Sequence, residues 1–372
     1  MPKVLIFDKG GRRERIKLIK ENKAPKDFFQ SIDFLRANNF DIDHLSSSIK
    51  YKKNLFFFIV RLIEQLFSKY SNVGIRPISV FQYRKKINKS DYVVSLTDGF
   101  SLSLGFYYSF CDKKNKIKLA GAFHKLSDFE KKLPIFLKQF YYLIFKIILK
   151  RLDYIIFYGE ADRLNSIEYF KLDSKKTHTI KFGVDTLFWK PNKKNNYLSN
   201  YIFSIGQDPS RDFNTLLRVK TKKRIHIHTN LLKPKNHKNI KITNGTYQNY
   251  KNSFSDLEIR KLYQDSFLIV VPLKNVFQPS GYSVTLQAMA CGKPVILTLT
   301  KGLWAPKIFK NFKNCILVNP ENKKEIEEAI VNLENNHTLY TKISKEARKT
   351  AEKYFSLEVA NRSTLEIFKN FK

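Results

Sequence analysis

The chain has 372 residues, 43% of them hydrophobic, and carries 68 Lys and Arg against 33 Asp and Glu, a formal charge of +35. That length suits two domains with cores of their own, and that charge draws anionic partners such as nucleic acid, acidic headgroups or phosphorylated substrates. Cys111, Cys291 and Cys315 lack the number and spacing of a disulfide framework or a zinc site, which fits a reducing, cytoplasmic compartment, and no run reaches the ~20 apolar residues that span a bilayer.

The first expected strand, Lys3–Phe7, starts almost at the first residue, so no signal peptide is expected. Gly10 and Gly11 follow it, where a ligand could approach the backbone closely or the chain could simply turn. Phe40–His44 is the next strand, and Leu55–Phe67 is an apolar run interrupted by charge. The strand Tyr92–Thr97 leads into Asp98 and Gly99, an ordinary turn or a weak candidate for acceptor contact. Ile117–His124 follows and ends on a histidine.

Leu133–Leu149 is a second apolar run, preceded by Lys131 and Lys132. Drawn as a helix, it gathers Lys138, Gln139, Lys146 and Lys150 in one 120° sector, with Phe136, Leu143 and Ile147 elsewhere. That is the pattern of a helix lying in an anionic membrane interface, and equally that of an ordinary surface helix. The net charge leaves the same two readings open, because the lysines are spread along the chain as an A·T-rich genome would spread them.

Tyr154–Tyr158 and Thr177–Phe182 complete six strands with room for helices between them, the pattern of a doubly wound parallel sheet. The pattern then repeats as Tyr201–Ile205, Arg224–Thr229, Ile240–Thr243, Phe267–Val271, Val295–Thr300 and Cys315–Val318. The polar, turn-rich stretch Trp189–Tyr197 reads as a linker. The expected organisation is an α/β chain of two Rossmann-like domains, 1–186 and 199–355, joined by 187–198 and facing a central cleft. A last helix over 356–372, capped by Ser356, would pack back on the first domain. His226 and His228 share one face of a strand, but with no third ligand at a suitable spacing they read as structural.

The stretch Asn275–Gly292 holds no charge, where a chain of this composition should place about five. It follows a buried strand, turns at Pro279-Ser280-Gly281, and leads into a short helix that Ser280 or Ser283 could cap and that Gly292 and Pro294 end. An uncharged helix N-terminus at the carboxyl end of a strand offers N–H groups and a positive dipole to a phosphate. A packed βα turn without a ligand looks the same.

The segment Gly281–Val295, GYSVTLQAMACGKPV, resembles the donor-binding segment of retaining family-4 (group 1) glycosyltransferases of the GT-B fold. Lys181–Pro191, KFGVDTLFWKP, resembles the Gly-Val-Asp segment that closes their first domain. Phe203–Leu217, FSIGQDPSRDFNTLL, resembles the first strand and phosphate loop of their second domain. The likeness covers most of 180–360 and is thinner before it.

The resemblance implies a retaining hexosyltransferase-like enzyme with no required metal or other cofactor. A nucleotide-diphosphate sugar would be held mainly by the C-terminal domain, and a saccharide or lipid-linked acceptor by the N-terminal one. Arg211 would clamp the diphosphate and, with His124 hydrogen-bonding the transferred sugar, form the catalytic pair. Gly10, Gly11, Gly206, Gln207, Lys274, Gln278, Ser280, Gly281, Tyr282, Ser283 and Gln287 would line the donor site. The donor's own phosphate oxygen would take the acceptor proton. The family's two glutamates, separated by seven residues, fall here at Pro279 and Gln287, and Gln207 stands where arginine is common; an amide at 287 can still hold ribose hydroxyls.

Cell-envelope polysaccharide synthesis by a cytoplasmic enzyme, peripheral at the inner face of the membrane, is the expected setting. The alternatives are a non-catalytic protein binding nucleic acid or membrane by charge, or another GT-B enzyme such as an inverting transferase or a nucleotide-sugar epimerase. Nucleic acid ranks below the donor, because the aromatics sit in apolar runs and not between basic residues as stacking platforms do.

Overall fold

The computed structural model describes the chain except residues 10, 11, 28–31, 48–54, 72, 73, 113–116, 133, 193–195, 238, 246–253 and 370–372. Gly10 and Gly11 therefore lie outside the described residues. The chain forms two compact units, one of Met1–Glu14, Ser31–Ile180 and Ser363–Lys372, the other of Arg15–Gln30 and Lys181–Arg362.

The first unit holds β1 (Lys3–Lys9), the start of α1 (Arg12–Lys20), α2 (Ile32–Ala37), β2 (Asp41–Ser47), α3 (Leu55–Ser71), α4 (Pro77–Ile87), β3 (Tyr92–Ser95) and α5 (Asp98–Phe110). It continues with β4 (Lys118–Phe123), α6 (Ile135–Arg151), β5 (Tyr154–Phe157), α7 (Glu160–Phe170) and β6 (Thr177–Thr179). Its six strands pair in parallel in the order β2-β1-β3-β4-β5-β6. Alternation explains why these runs are apolar throughout. Leu5, Phe7, Val93, Leu119 and Phe123 enter one core cluster, whereas Val4, Ile6, Val94, Ala120 and Ala122 enter another, so both faces of the sheet are covered.

The second unit holds β7 (Tyr201–Ile205), α8 (Phe213–Leu217), β8 (Arg224–His228), β9 (Lys235–His237), β10 (Ile240–Thr243), α9 (Asp256–Asp265) and β11 (Ile269–Val271). After them come α10 (Tyr282–Ala290), β12 (Val295–Thr298), β13 (Ile316–Val318), α11 (Lys323–Asn335), α12 (His337–Phe355) and α13 (Leu357–Lys369), whose last residues belong with the first unit. The order is β13-β12-β11-β7-β8-β10-β9, parallel except for the β9–β10 pair. Without β9 this is the Rossmann order, with the switch point between β7 and β11. All twelve expected strands are present, ten of them with shifted ends. The additional strand, β9, is three exposed polar residues paired at the sheet edge, where Arg224 also donates to Asn236 and the His237 carbonyl, so it has no apolar pattern to read.

The start of the stretch expected as a linker, Trp189 and Lys190, is held within the second unit. Trp189 is 1% exposed, its indole Nε1 donates to Asp27 Oδ2 at 2.8 Å, and the Lys190 carbonyl accepts from Gln264. The Gly-Val-Asp segment works as a backbone clamp. Asp185 accepts from the amides of Lys26, Leu187 and Phe188, while its own amide donates to Asp27 Oδ1 at 2.6 Å. Gly183 is required by space, since a Cβ there would meet the Ala360 methyl at 2.7 Å.

Lys293 is a buried amine in this unit, 2% exposed, donating its Nζ to the Ser266 carbonyl at 2.8 Å, and burial brings its pKa down to about 7. Unfolded, it holds its proton to near 10.4. Between these values the unfolded chain binds more protons, so this lysine makes stability rise with pH from about 7 to about 10. Lys293→Met should remove that rise, by a few kcal/mol at its upper end, in denaturant titrations at pH 7 and pH 10. A variant whose pH profile still matched the wild type would show that Lys293 is charged in the native state.

Candidate active site

The loops that follow β7 and β11 are zipped together at the switch point of the second sheet. Arg211 and Leu273 form an isolated antiparallel bridge, the Asp212 amide donates to the Pro272 carbonyl at 3.0 Å, and the Lys274 amide donates to the Ser210 carbonyl at 2.8 Å. Asp212 then caps α8 by accepting from the Thr215 amide. Around this junction Arg211, expected as catalytic, meets five of the expected donor residues, Gly206, Lys274, Gln278, Ser280 and Gly281.

Arg211 lies at its centre, 6% exposed. Its guanidinium passes over two glycines: a Cβ on Gly206 would meet Nε at 2.3 Å, and one on Gly281 would stand 3.4 Å from Nη1. Gly281 is also the N-cap of α10 with φ of +79°, a left-handed conformation that favours glycine. Side chains at 206 or 281 would therefore displace the cation or strain the turn.

Asp208 organises the floor of the cluster. Its Oδ1 accepts from the Ser210 amide and hydroxyl, both at 2.8 Å, and its Oδ2 accepts from Gln278 Nε2 and from Ser280 Oγ. Ser210 Oγ also bonds Ser280 Oγ at 2.7 Å. Neither serine caps α10, contrary to expectation; its N-terminus has no side-chain cap because Ser280 is spent on Ser210 and Asp208. Tyr282 and Ser283, half-buried, open that helix. The sequence segment carrying Asp208 and Ser210 was recognised as a phosphate loop, but nothing in it singled out these two residues.

Two expected donor residues hold protein groups. Gln207 gives its Nε2 to the Gly245 carbonyl at 2.8 Å and accepts from the Asn230 amide, tying β7 to the loops beyond β8 and β10. Gln287, expected at a ribose, is 2% exposed, donates to Asp27 Oδ2 at 2.9 Å and accepts from the Tyr263 hydroxyl at 3.3 Å. Asp27 is fully buried, and burial pushes its carboxyl up to about 6 even though Gln287, the Asp185 amide and Trp189 all donate to it. No motif marked Asp27. Lys274 directs its Nζ to the Pro209 carbonyl at 3.0 Å.

In the first unit, Asp98 and His124 form a dyad at the carboxyl ends of β3 and β4. Asp98 Oδ1 accepts from the His124 amide at 2.9 Å and the Lys125 amide at 3.3 Å, and Oδ2 faces His124 Nδ1 at 3.2 Å. Burial raises the Asp98 carboxyl, but the hydrogen bonds and charge of His124 outweigh it and hold the group below its usual range. The His124 ring stacks on Tyr158, centroids 4.4 Å apart. In the neutral ring that gives Nδ1–H to Asp98, Nε2 carries the lone pair and can accept a hydrogen bond from a hydroxyl. Asp98, weighed as an acceptor contact, thus spends both oxygens on the histidine and its backbone. Asp98→Asn should lower turnover about tenfold to a hundredfold with little change in donor KM, and should disturb the ring tautomer read by nitrogen NMR. An unchanged tautomer with unchanged turnover would remove the dyad from the account.

His226 and His228 both point at the Thr243 hydroxyl, 3.0 and 2.9 Å away, and burial lowers both, His226 to about 4. They are neutral core groups at ordinary pH.

Residues 233–350 match the family described as glycosyl transferases group 1. Among curated proteins none matches the chain. Solved structures of similar fold include HepE of Anabaena in complex with UDP and glucose, at 14% identity and TM-score 0.65 over 99% of this chain and 100% of that one. Sucrose-phosphate synthase of Thermosynechococcus elongatus aligns at 12% identity and TM-score 0.70 over 100% and 99% of the two chains. The catalytic domain of starch synthase IV from Arabidopsis thaliana, bound to ADP and acarbose, aligns at 10% identity and TM-score 0.66 over 100% and 99%. Two Rossmann-like units and these likenesses make the fold GT-B, and the group 1 match supports a glycosyltransferase that draws on a nucleotide sugar.

Proposed function

We propose that the chain transfers a sugar from a nucleotide-diphosphate sugar to a saccharide or lipid-linked acceptor with retention of configuration, as a family-4 type enzyme. The observation that carries this reading is the buried Arg211 guanidinium laid over Gly206 and Gly281 beside the uncapped start of α10. A fixed cation, bare glycine backbone and helix N–H groups at a switch point together suit a diphosphate and stabilise charge on it as the glycosidic bond opens.

In this reading Asp208 and Ser280 hold the loop in shape and Arg211 meets the leaving diphosphate. His124, oriented by Asp98, accepts a hydroxyl of the transferred sugar. The donor's phosphate oxygen receives the acceptor proton, so no side-chain base is assigned, and no metal is called for in meeting the diphosphate charge. Gln287 serves as an internal partner of Asp27, and no ribose contact is assigned to it.

The test is a panel of nucleotide sugars offered to the purified chain, with hydrolysis and transfer followed and the anomeric configuration of the product read by proton NMR. Release of a nucleoside diphosphate with a retained anomer is expected. An inverted product would transfer the chain to another GT-B reaction, and no turnover or binding with any nucleotide sugar would end the proposal.

A further inference from the structure

Two helices of the first unit present their apolar faces outward. On α3, Leu55, Phe58, Ile59, Leu62 and Leu66 fall within about 100° of helix circumference and are 47 to 74% exposed, while Glu64 is buried. On α6, Ile135, Phe136, Phe140, Leu143 and Ile147 form a second stripe, 47 to 85% exposed. An ordinary surface helix does the reverse and buries its apolar stripe against the core. A 3-10 turn, Leu126–Lys132, packs against α3 and ends two residues before α6, so the two helices adjoin one turn.

Along one edge of the α6 stripe run Lys138, half-buried, and Lys146 and Lys150, both exposed. Tyr142 carries the Lys146 ammonium over its ring at 5.5 Å. Each helix has 17 residues, and among the described residues no helix is long and apolar enough to cross a membrane. An apolar stripe edged by lysines on helices too short to span is the arrangement of a helix that lies in an interface.

We infer that the α3 and α6 stripes form a docking surface for an anionic lipid bilayer, with the phenylalanine and leucine side chains entering the headgroup boundary and the α6 lysines meeting acidic headgroups. Charge decides between the possible occupants. The chain carries +35, so a second copy would bring like charges together over the patch, whereas acidic lipid attracts each lysine near the surface. The inference needs only the first unit and stands apart from the donor reading. If that reading also holds, an acceptor carried on lipid would be met at the surface where it resides.

The experiment is co-sedimentation of the full chain with vesicles of phosphatidylcholine alone and with about 30% phosphatidylglycerol added, at low and high salt. The comparison is with Phe136→Ser/Phe140→Ser and, separately, Phe58→Ser/Leu62→Ser. All four side chains are exposed, so both variants should melt like the wild type. Wild type should bind the anionic vesicles at least about tenfold better than the neutral ones, and each variant should lose about tenfold or more. A Phe140→Trp chain should show a blue-shifted emission on binding. Equal binding by wild type and variants, or no vesicle binding, overturns the inference. So does a wild-type oligomer that the same substitutions convert to monomer, because the stripes would then be covered by a second copy. Nucleotide binding measured on the same preparations keeps a failure here separate from a failure of the donor reading.

Discussion

Arg211→Ala should lower transfer by about 10²–10³-fold, the loss that follows removal of one fixed group facing charge in a transition state. The side chain is buried at the junction of the loops after β7 and β11, where backbone bonds on both sides hold it in place. Arg211→Lys should recover little, because an ammonium lacks the planar fork that lies across the two glycines. Gly206→Ala gives an independent view with the arginine retained. Its Cβ would stand 2.3 Å from Arg211 Nε, so the guanidinium must move, and a loss of at least tenfold is expected without removal of the charge. Steady-state kinetics with a thermal melt on each variant checks both. Full activity in Arg211→Ala would move the phosphate site elsewhere.

Gln287→Glu, which writes the family's usual residue into this chain, should destabilise it by about 3–5 kcal/mol near pH 8. The amide now donates to a fully buried Asp27 carboxyl 2.9 Å away, whose pKa burial has already pushed to about 6. A glutamate would remove that donor and set two carboxyl groups in one buried site, where both cannot ionise. Unfolded, each ionises near pH 4, whereas the folded pair keeps a proton to higher pH. Stability is therefore lost as pH rises through the folded pKa, and the penalty should shrink toward pH 5, where a shared proton replaces the amide's. Asp27→Asn combined with Gln287→Glu should recover most of the loss, since the amide and the acid have exchanged places. Denaturant titrations at pH 5 and pH 8 measure this. A Gln287→Glu chain as stable as wild type at pH 8 would mean that the Asp27 contact carries no such weight.

Much of the architecture was legible because parallel strands buried on both faces must be apolar at every position. Val4 to Phe7 and Ile269 to Val271 announce themselves in that way. The segments Phe203–Leu217 and Gly281–Val295 stand out by resemblance, and Gly206 in the first and Gly281 in the second have a spatial reason to be glycine. Partnerships across long sequence separations were not. Asp27 meets Gln287 over 260 residues and Arg15 meets Asp256 over 241, and neither pair leaves a local pattern. For the same reason Trp189 was read as part of a linker, although its indole closes the Asp27 cluster. Helical periodicity located the stripe on α6 but could not say whether it faced protein or the outside. That depends on what packs beside it, and the structure shows the stripe exposed.

The central claim is that the β7/β11 switch point holds a diphosphate on Arg211, and isothermal titration of the full chain with nucleoside diphosphates tests it most directly. Wild type should bind at least one of them with a Kd in the range of about 1 µM–1 mM, and Arg211→Ala should bind it at least about tenfold more weakly while melting as a folded protein. Equal affinity in the two chains, with both folded, would contradict the account.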